Sequence, residues 1–168
     1  IEQEDVYFKL RIQRGSQLTG YAISRKLKLN DITKIRRTDM IGIIGAMEEE
    51  VSQLIEAMEQ KEKVTRAGMD FYCGNLNGKD VVIVQSGIGK VNMALCTQIL
   101  ADKFDVKAVI NTGVAGGLYK DIEIGDIVIS KDAVQHDVDA TVFGYKVGEI
   151  PRMDTSYFEA DKDLIELA

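Results

Sequence analysis

The chain has 168 residues, 45% of them hydrophobic, no Trp and a net charge of −6. This size and composition are typical of one globular domain with enough apolar side chains for a core. No run approaches the roughly 20 apolar residues that cross a bilayer, the first residues lack the apolar region of a secretory signal, and an acidic main body argues against a nucleic-acid partner.

The first 39 residues differ in character from the rest of the chain. They carry nine Lys or Arg against five Asp or Glu, and all six Met and 13 of the 15 Gly lie at or after Met40. Neither a helical nor a strand period runs through them. We interpret 1–39 as a leader outside the folded domain, either translated upstream sequence or a tag, and 40–168 as the domain. A genuine N-terminal extension is the alternative.

From Met40 onwards the apolar pattern is sharp. It predicts a buried strand at the start of 40–47, a helix over 47–60, two strands at 69–76 and 79–86, and a helix over 90–102. Further strands are predicted at 107–113 and 123–130, followed by an extended loop over 131–160. The last residues, 161–168, read as the opening of an amphipathic helix without a C-terminal capping signal, which suggests a truncated domain.

Strands that alternate with helices predict an α/β fold. The expected architecture is a three-layer sandwich around a central mixed, mostly parallel sheet, left incomplete at the C-terminus. We expect nothing in the domain to pair with the far edge of this sheet.

Three glycine-containing loops follow predicted strands, at Gly45-Ala46-Met47, 86–89 and 113–117. Ligands of such sheets bind beyond the carboxyl ends of the strands, and glycine lets the backbone approach a ligand closely. None of the loops matches GxGxxG or GxxxxGK[ST], so a dinucleotide or ATP site is not expected.

Three glutamates, Glu48, Glu49 and Glu50, open the first predicted helix. Acidic residues in a first turn interact favourably with the helix dipole, which by itself explains their presence. At about 100° per residue, Glu49 points away from the apolar face. Glu48 and Glu50 both flank that face, so either could overhang the strand ends as a general base, and periodicity does not choose between them.

Other potentially reactive side chains have simpler interpretations. His136, Asp137 and Asp139 form an HDVD cluster, but one histidine is a weak basis for a metal site, and hydrogen bonds that organise the loop are the preferred interpretation. Cys73 and Cys96 have no CxxC spacing, fit a reducing cytoplasm and are expected to be buried small hydrophobes. A solvated side chain is the default for Lys90.

Five segments occur in a characteristic order and spacing. They are GIIGAMEEEV, SGIGKVNMAL, INTGVAGGL, GDIVIS and HDVDATVFGY. Together they closely resemble the bacterial 5′-methylthioadenosine/S-adenosylhomocysteine nucleosidases of the nucleoside phosphorylase superfamily, from Met40 to about Ala168. The resemblance implies hydrolysis of an N-glycosidic bond with release of adenine, in the service of methionine salvage, by a cytoplasmic homodimer that needs no metal or cofactor.

The resemblance also implies roles for individual residues. Glu50 matches the glutamate that activates the attacking water. The residues that match the substrate pocket are Ala46, Met47, Ile88, Val114 and Gly116. Phe143, Tyr145 and Pro151 match residues that reach into the site of a neighbouring subunit.

Two departures from the family pattern qualify these expectations. Val114 stands where some relatives carry Ser, and the chain stops before the family's adenine-protonating aspartate and ribose-binding glutamate. We therefore expect this chain alone to be inactive or nearly so. The alternatives are a purine nucleoside phosphorylase, whose phosphate-binding element is replaced here by GAMEEE, and a non-catalytic fragment that binds a nucleoside or dimerises.

Overall fold

The computed structural model describes residues 9–14 and 40–168; the rest of the leader lies outside these ranges. The strands are β1 (Lys9–Arg14), β2 (Ile41–Gly45), β3 (Glu59–Arg66), β4 (Met69–Leu76), β5 (Lys79–Gln85), β6 (Ala108–Asn111), β7 (Val128–Ile129), β8 (Asp132–Ala133) and β9 (Phe158–Glu159). The helices are α1 (Glu48–Ala57), α2 (Lys90–Phe104), α3 (Lys162–Leu167) and a short 3-10 turn at Thr141–Phe143.

Seven strands form one mixed sheet in the order β3-β4-β5-β2-β6-β1-β7. The central strands β5, β2 and β6 run parallel, whereas β3 and β4 add to the β5 side as antiparallel hairpins. Parallel neighbours need crossover connections, which α1 and α2 supply here. A separate pair, β8 and β9, lies outside this sheet.

The two faces of the sheet carry separate hydrophobic clusters, because successive strand side chains point to opposite sides. On one face Ile44 packs in a cluster that includes Cys96 and Leu100 of α2. On the other face Ile43 packs in a cluster that includes Val51 of α1. Helices on both faces make the three-layer α/β sandwich expected from the sequence.

The expected helix over 47–60 is three residues too long at its C-terminal end, and the strand β3 was missed. The helix ends at Ala57, and Glu59–Arg66 pairs antiparallel with β4. Its sequence, EQKEKVTR, has one apolar residue and is mostly exposed. Such a charged edge strand protects the sheet from pairing with other chains, and it carries no period-2 apolar signal for a sequence to reveal.

The region after β6 also differs from expectation. The strand predicted at 123–130 is reduced to Val128–Ile129, and turns occupy the residues before it. The stretch 131–160 is largely irregular, as expected, but contains the short strands β8 and β9 and the 3-10 turn.

The far edge of the sheet is not bare. Strand β1 of the leader pairs antiparallel with β6, with Arg11 opposite Asn111 and Arg14 opposite Ala108, and it pairs parallel with β7. The expectation concerned the domain that begins at Met40, whereas the strand at this edge comes from the leader. The origin of the leader is a separate question and stays a prediction.

Both cysteines are buried, as the sequence predicts, and neither forms a disulfide. Burial raises the pKa of the Cys96 thiol to about 12, so the nucleophilic thiolate is scarce at neutral pH. In the described ranges, no helix combines the length and the apolar character that a bilayer crossing requires.

Candidate active site

The three glycine loops meet at one edge of the sheet because β2, β5 and β6 run parallel and end at the same level. Gly45 lies opposite Gln85, and Ile44 lies opposite Asn111. Two backbone hydrogen bonds extend this pairing into the loops: Ser86 N–H donates to the Gly45 carbonyl at 2.8 Å, and Thr112 N–H donates to the Ile44 carbonyl at 2.9 Å.

Glu50 lies beneath these loops and is only 5% exposed. Its Oε2 accepts the backbone N–H of Ala46 at 2.6 Å and that of Met47 at 3.0 Å. Its Oε1 accepts the N–H of Val114 at 2.9 Å, across 64 residues of sequence. The carboxylate thus joins the loop after β2 to the loop after β6.

Glu48 and Glu50 differ in their burial. Glu48 is exposed, whereas Glu50 is buried among the strand ends. The bond from Met47 is half of an ordinary helix capping box. The bonds from Ala46 and Val114 go beyond capping, because a first-turn glutamate does not need a distant loop to cap its helix.

The negative charge of Glu50 is balanced by backbone dipoles rather than by a cation. The ion pairs with both members in residues 40–168 join Lys63, Lys90 and Lys107 to aspartates, and none of them includes Glu50. Glu50 instead faces the N–H groups of Ala46 and Met47 at the N-terminus of α1, where the helix dipole favours an anion, and the N–H of Val114 from the loop after β6. A buried carboxylate with fixed donors is an acceptor in a defined position, as a general base requires.

The other expected pocket residues lie at the same edge of the sheet but are more exposed to solvent than Glu50. Ala46 and Met47 are half-buried, Ile88 is 73% exposed, and Val114 is 44% exposed. Gly116 is also exposed. An open groove of about 720 Å³ runs along Val114, Ala115, Gly116, Gly117, Ile122, Glu123 and Ile124.

The three residues expected to serve a neighbouring subunit lie in the irregular stretch before β9. Phe143 is 79% exposed, Pro151 is exposed, and Tyr145 is half-buried. Within the described part of the chain, no hydrogen bond joins them to the Glu50 loops. Their exposure leaves them available to another subunit, and that role stays a prediction.

The HDVD segment is organised by hydrogen bonds. Lys90, at the first position of α2, donates to both carboxylate oxygens of Asp137 at 2.7 Å and to the side chain of Gln135 at 3.3 Å. Asp139 accepts from the backbone and hydroxyl of Thr141. Over 9–14 and 40–168, no group of three His, Cys, Asp or Glu could hold a metal ion.

We expect Lys90→Met to raise the pKa of Asp137 towards its usual value. The hydrogen bond from Lys90 is the largest cause of the lowered pKa of Asp137. Because the pKa of Asp137 is lowered, the contact stabilises the folded chain at pH values above the ordinary Asp pKa. This stabilisation is lost as the pH falls through the lowered pKa. Carboxyl carbon NMR of Asp137 between pH 7 and pH 2 measures the shift.

Lys131→Met is the control for that titration because Lys131 is also exposed but is not bonded to Asp137. Both members of the Lys90–Asp137 pair are more than half exposed, so we expect little change in thermal stability. A titration of Asp137 that is identical in the Lys90 variant and the wild type would contradict the assignment.

The comparison with known families decides the classification. Residues 40–168 match the model of the phosphorylase superfamily. The chain belongs to the phosphorylase superfamily. The matched range begins at Met40, where the apolar pattern of the sequence becomes sharp.

Individual relatives of this phosphorylase-superfamily chain are nucleosidases or related hydrolases. A 5′-methylthioadenosine/S-adenosylhomocysteine nucleosidase of Staphylococcus haemolyticus is 51% identical over 127 residues, which are 76% of this chain and 55% of the relative. The nucleosidase of Colwellia psychrerythraea, solved with adenine, is 48% identical with a TM-score of 0.73 over 76% of this chain and 52% of that one. The futalosine hydrolase of Helicobacter pylori is 35% identical, with a TM-score of 0.73, and the match covers 77% of this chain and 55% of the hydrolase.

This phosphorylase-superfamily chain therefore spans about half the length of the relatives it matches. The sequence pointed to Glu50 and the three loops, but it did not indicate that Gly113 lies against the Glu50 carboxylate. The only available signal was a glycine directly after a buried strand, and turns commonly place a glycine there.

Proposed function

We propose that the domain beginning at Met40 hydrolyses the N-glycosidic bond of 5′-methylthioadenosine and S-adenosylhomocysteine and releases adenine. The observation that carries the proposal is the buried Glu50 carboxylate, held by three backbone N–H groups at the ends of the parallel strands. The relatives named above supply the substrate class, and Ala46, Met47, Ile88, Val114 and Gly116 are the proposed substrate contacts.

The geometry gives the two oxygens of Glu50 different tasks. An ionised carboxylate has about four acceptor positions, and two N–H bonds occupy those of Oε2. Oε1 accepts a single N–H, which leaves it one position for a water molecule. In the proposed reaction Oε1 takes a proton from that water as the oxygen of the water bonds to the anomeric carbon. The bond to adenine breaks through an oxocarbenium-like state, its electron pair leaves with adenine, and the leaving nitrogen base takes up a proton from water.

Hydrolysis is favoured over phosphorolysis by the same carboxylate. A phosphate nucleophile is an anion, and a buried anion nearby repels it in a low-dielectric site. Neutral water has no such penalty and needs a base. Adenine release that is independent of added phosphate would agree with hydrolysis, and a strict phosphate requirement would overturn it in favour of a nucleoside phosphorylase.

A second candidate follows from the length comparison. Because the chain spans about 55% of the Staphylococcus relative, it could bind an adenine nucleoside without turning it over. The open groove beside Gly116 is the observation that favours this alternative, because it provides a surface but little enclosure.

We also propose that the active form is a cytoplasmic homodimer that takes part in methionine salvage and needs no cofactor. Apolar side chains that are strongly exposed support an interface: Ile88, Val91, Val142, Phe143 and Val147. Large exposed apolar side chains mark protein contacts where they form one patch. Two buried cysteines without a disulfide suit a reducing compartment.

The test is adenine release from methylthioadenosine, S-adenosylhomocysteine and futalosine, each with and without phosphate, alongside calorimetric binding of methylthioadenosine. Phosphate-independent release from the first two supports the proposal. Binding without release supports the non-catalytic alternative. Preference for futalosine would overturn the assigned substrate class, and neither release nor binding would overturn both candidates.

A further inference from the structure

Gly113, at the end of β6, lies against the Glu50 carboxylate. A Cβ built on Gly113 would lie 2.7 Å from Cδ of Glu50 and 3.0 Å from Oε2, with Oε1 closer still. Real Cβ atoms essentially never approach heavy atoms this closely. A side chain at position 113 and the observed carboxylate therefore exclude each other.

The backbone conformation of Gly113 does not itself require glycine. Seven glycines of the described chain, Gly89 among them, have a positive φ, but Gly113 does not. Glycine is often kept for such a left-handed conformation, and that reason does not apply at Gly113. The remaining reason for glycine at position 113 is the lack of room for a side chain, since the Glu50 carboxylate occupies the Cβ position.

Gly45 limits the same space from the end of β2. A Cβ there would lie 2.9 Å from Cβ of Glu50 and 3.4 Å from Oε2. It would also meet Cγ1 of Val51 at 2.7 Å. Two bare stretches of backbone thus bound the carboxylate, while the N–H groups of Ala46 and Val114, one residue further along each loop, hold its oxygens.

We propose that Gly113 is a positioning residue, whose missing side chain creates the slot that holds the Glu50 carboxylate against the Val114 N–H. The slot fixes which oxygen is left open to water. Its catalytic consequence rests on the proposed function, whereas the slot itself is a property of the fold. Gly113 is the better position to test because an added Cβ at Gly45 would also strike Val51.

The experiment is a double-mutant cycle on the full chain, read by urea unfolding of the wild type, Gly113→Ala, Glu50→Ala and the double variant. With Glu50 present, the added methyl is overpacked, and we expect Gly113→Ala to raise the unfolding constant by about 5- to 100-fold. In the Glu50→Ala background the space is free, and the lower entropy of the unfolded chain should reduce that constant by roughly two- to fivefold.

The expected sign reversal identifies the carboxylate as the reason for glycine. An equal change of the unfolding constant by Gly113→Ala in both backgrounds would overturn the proposal. If Gly113 served only the backbone, the free-energy effects of the two substitutions would be additive. Gly116→Ala is the stability control: its φ is not positive, and nothing lies within 4 Å of its Cβ position. We expect less than about a threefold change there.

Amide hydrogen exchange supplies a second measurement should Glu50→Ala fail to fold. In Gly113→Ala the displaced carboxylate releases the N–H of Val114 and that of Ala46, and we expect both to exchange at least about tenfold faster relative to neighbouring amides. Gly116→Ala should leave them unchanged. Unchanged exchange in Gly113→Ala would overturn the proposal.

Adenine release separates the slot from the proposed function. In an active protein, Gly113→Ala should lower kcat more than it changes KM, because the base moves while the rest of the pocket remains. If the effects of Gly113→Ala and Glu50→Ala on unfolding are coupled while Gly113→Ala leaves adenine release unaltered, the slot stands but the role of Glu50 as base is overturned. Absence of coupling would overturn the slot whatever the activity.

Discussion

In a protein that also carries the C-terminal segment of the full-length nucleosidase relatives, Glu50→Gln is expected to lower the turnover number for adenine release by about 10²–10⁴-fold, the usual contribution of one general acid–base group. The amide cannot take a proton from water. KM and nucleoside binding should change little, because the side chain keeps its size beneath the loops. Steady-state kinetics and calorimetric binding of methylthioadenosine measure the two effects separately.

The same substitution also has a predictable structural effect. Three N–H groups face the carboxylate, and the NH₂ of glutamine would confront at least one of them. A buried donor left without an acceptor costs roughly 1–3 kcal/mol. A lower unfolding midpoint should therefore accompany the loss of turnover.

Glu49→Gln is the matched control because Glu49 is the adjacent first-turn carboxylate and is exposed. It should leave turnover and stability nearly unaltered. Equal turnover of Glu50→Gln and the wild type would show that the carboxylate only staples the two loops together.

Leu100→Ala is expected to cost about 2–5 kcal/mol in the free energy of unfolding. Leu100 has no exposed surface and packs between α2 and the sheet. Its Cδ1 lies 3.0 Å from where a Cβ on Gly42 would be, so the leucine fills the space that this strand glycine leaves. Alanine would leave a cavity at the centre of that face.

Leu118→Ala is the matched control for Leu100→Ala, since it makes the same chemical change at a fully exposed leucine. Its expected effect is within about 0.5 kcal/mol. Urea unfolding of both variants measures the difference. A similar cost at both positions would contradict the assignment of Leu100 to the core.

The centre of the fold could be read from the sequence because its signals are local. Ile43 and Ile44 belong to a short β-branched apolar run that suits a buried strand. Apolar spacing indicated the position of α1, and a preceding glycine loop indicated that of α2. The charged strand β3 escaped detection because its pairing partner, β4, determines it rather than its own residues. The pairing of β1 with β6 likewise depends on a distant partner.

The sequence by itself determined the family, the order of the central elements and two candidate bases in the first turn of α1. Only the tertiary structure showed that Glu50 is buried at the strand ends while Glu48 is exposed, and only it placed Gly113 against the Glu50 carboxylate. The physical reason is that an interaction across 64 residues exists only once parallel strands bring their ends together. Local spacing specifies a helix face, whereas burial and hydrogen-bond partners at a sheet edge depend on every strand in that sheet.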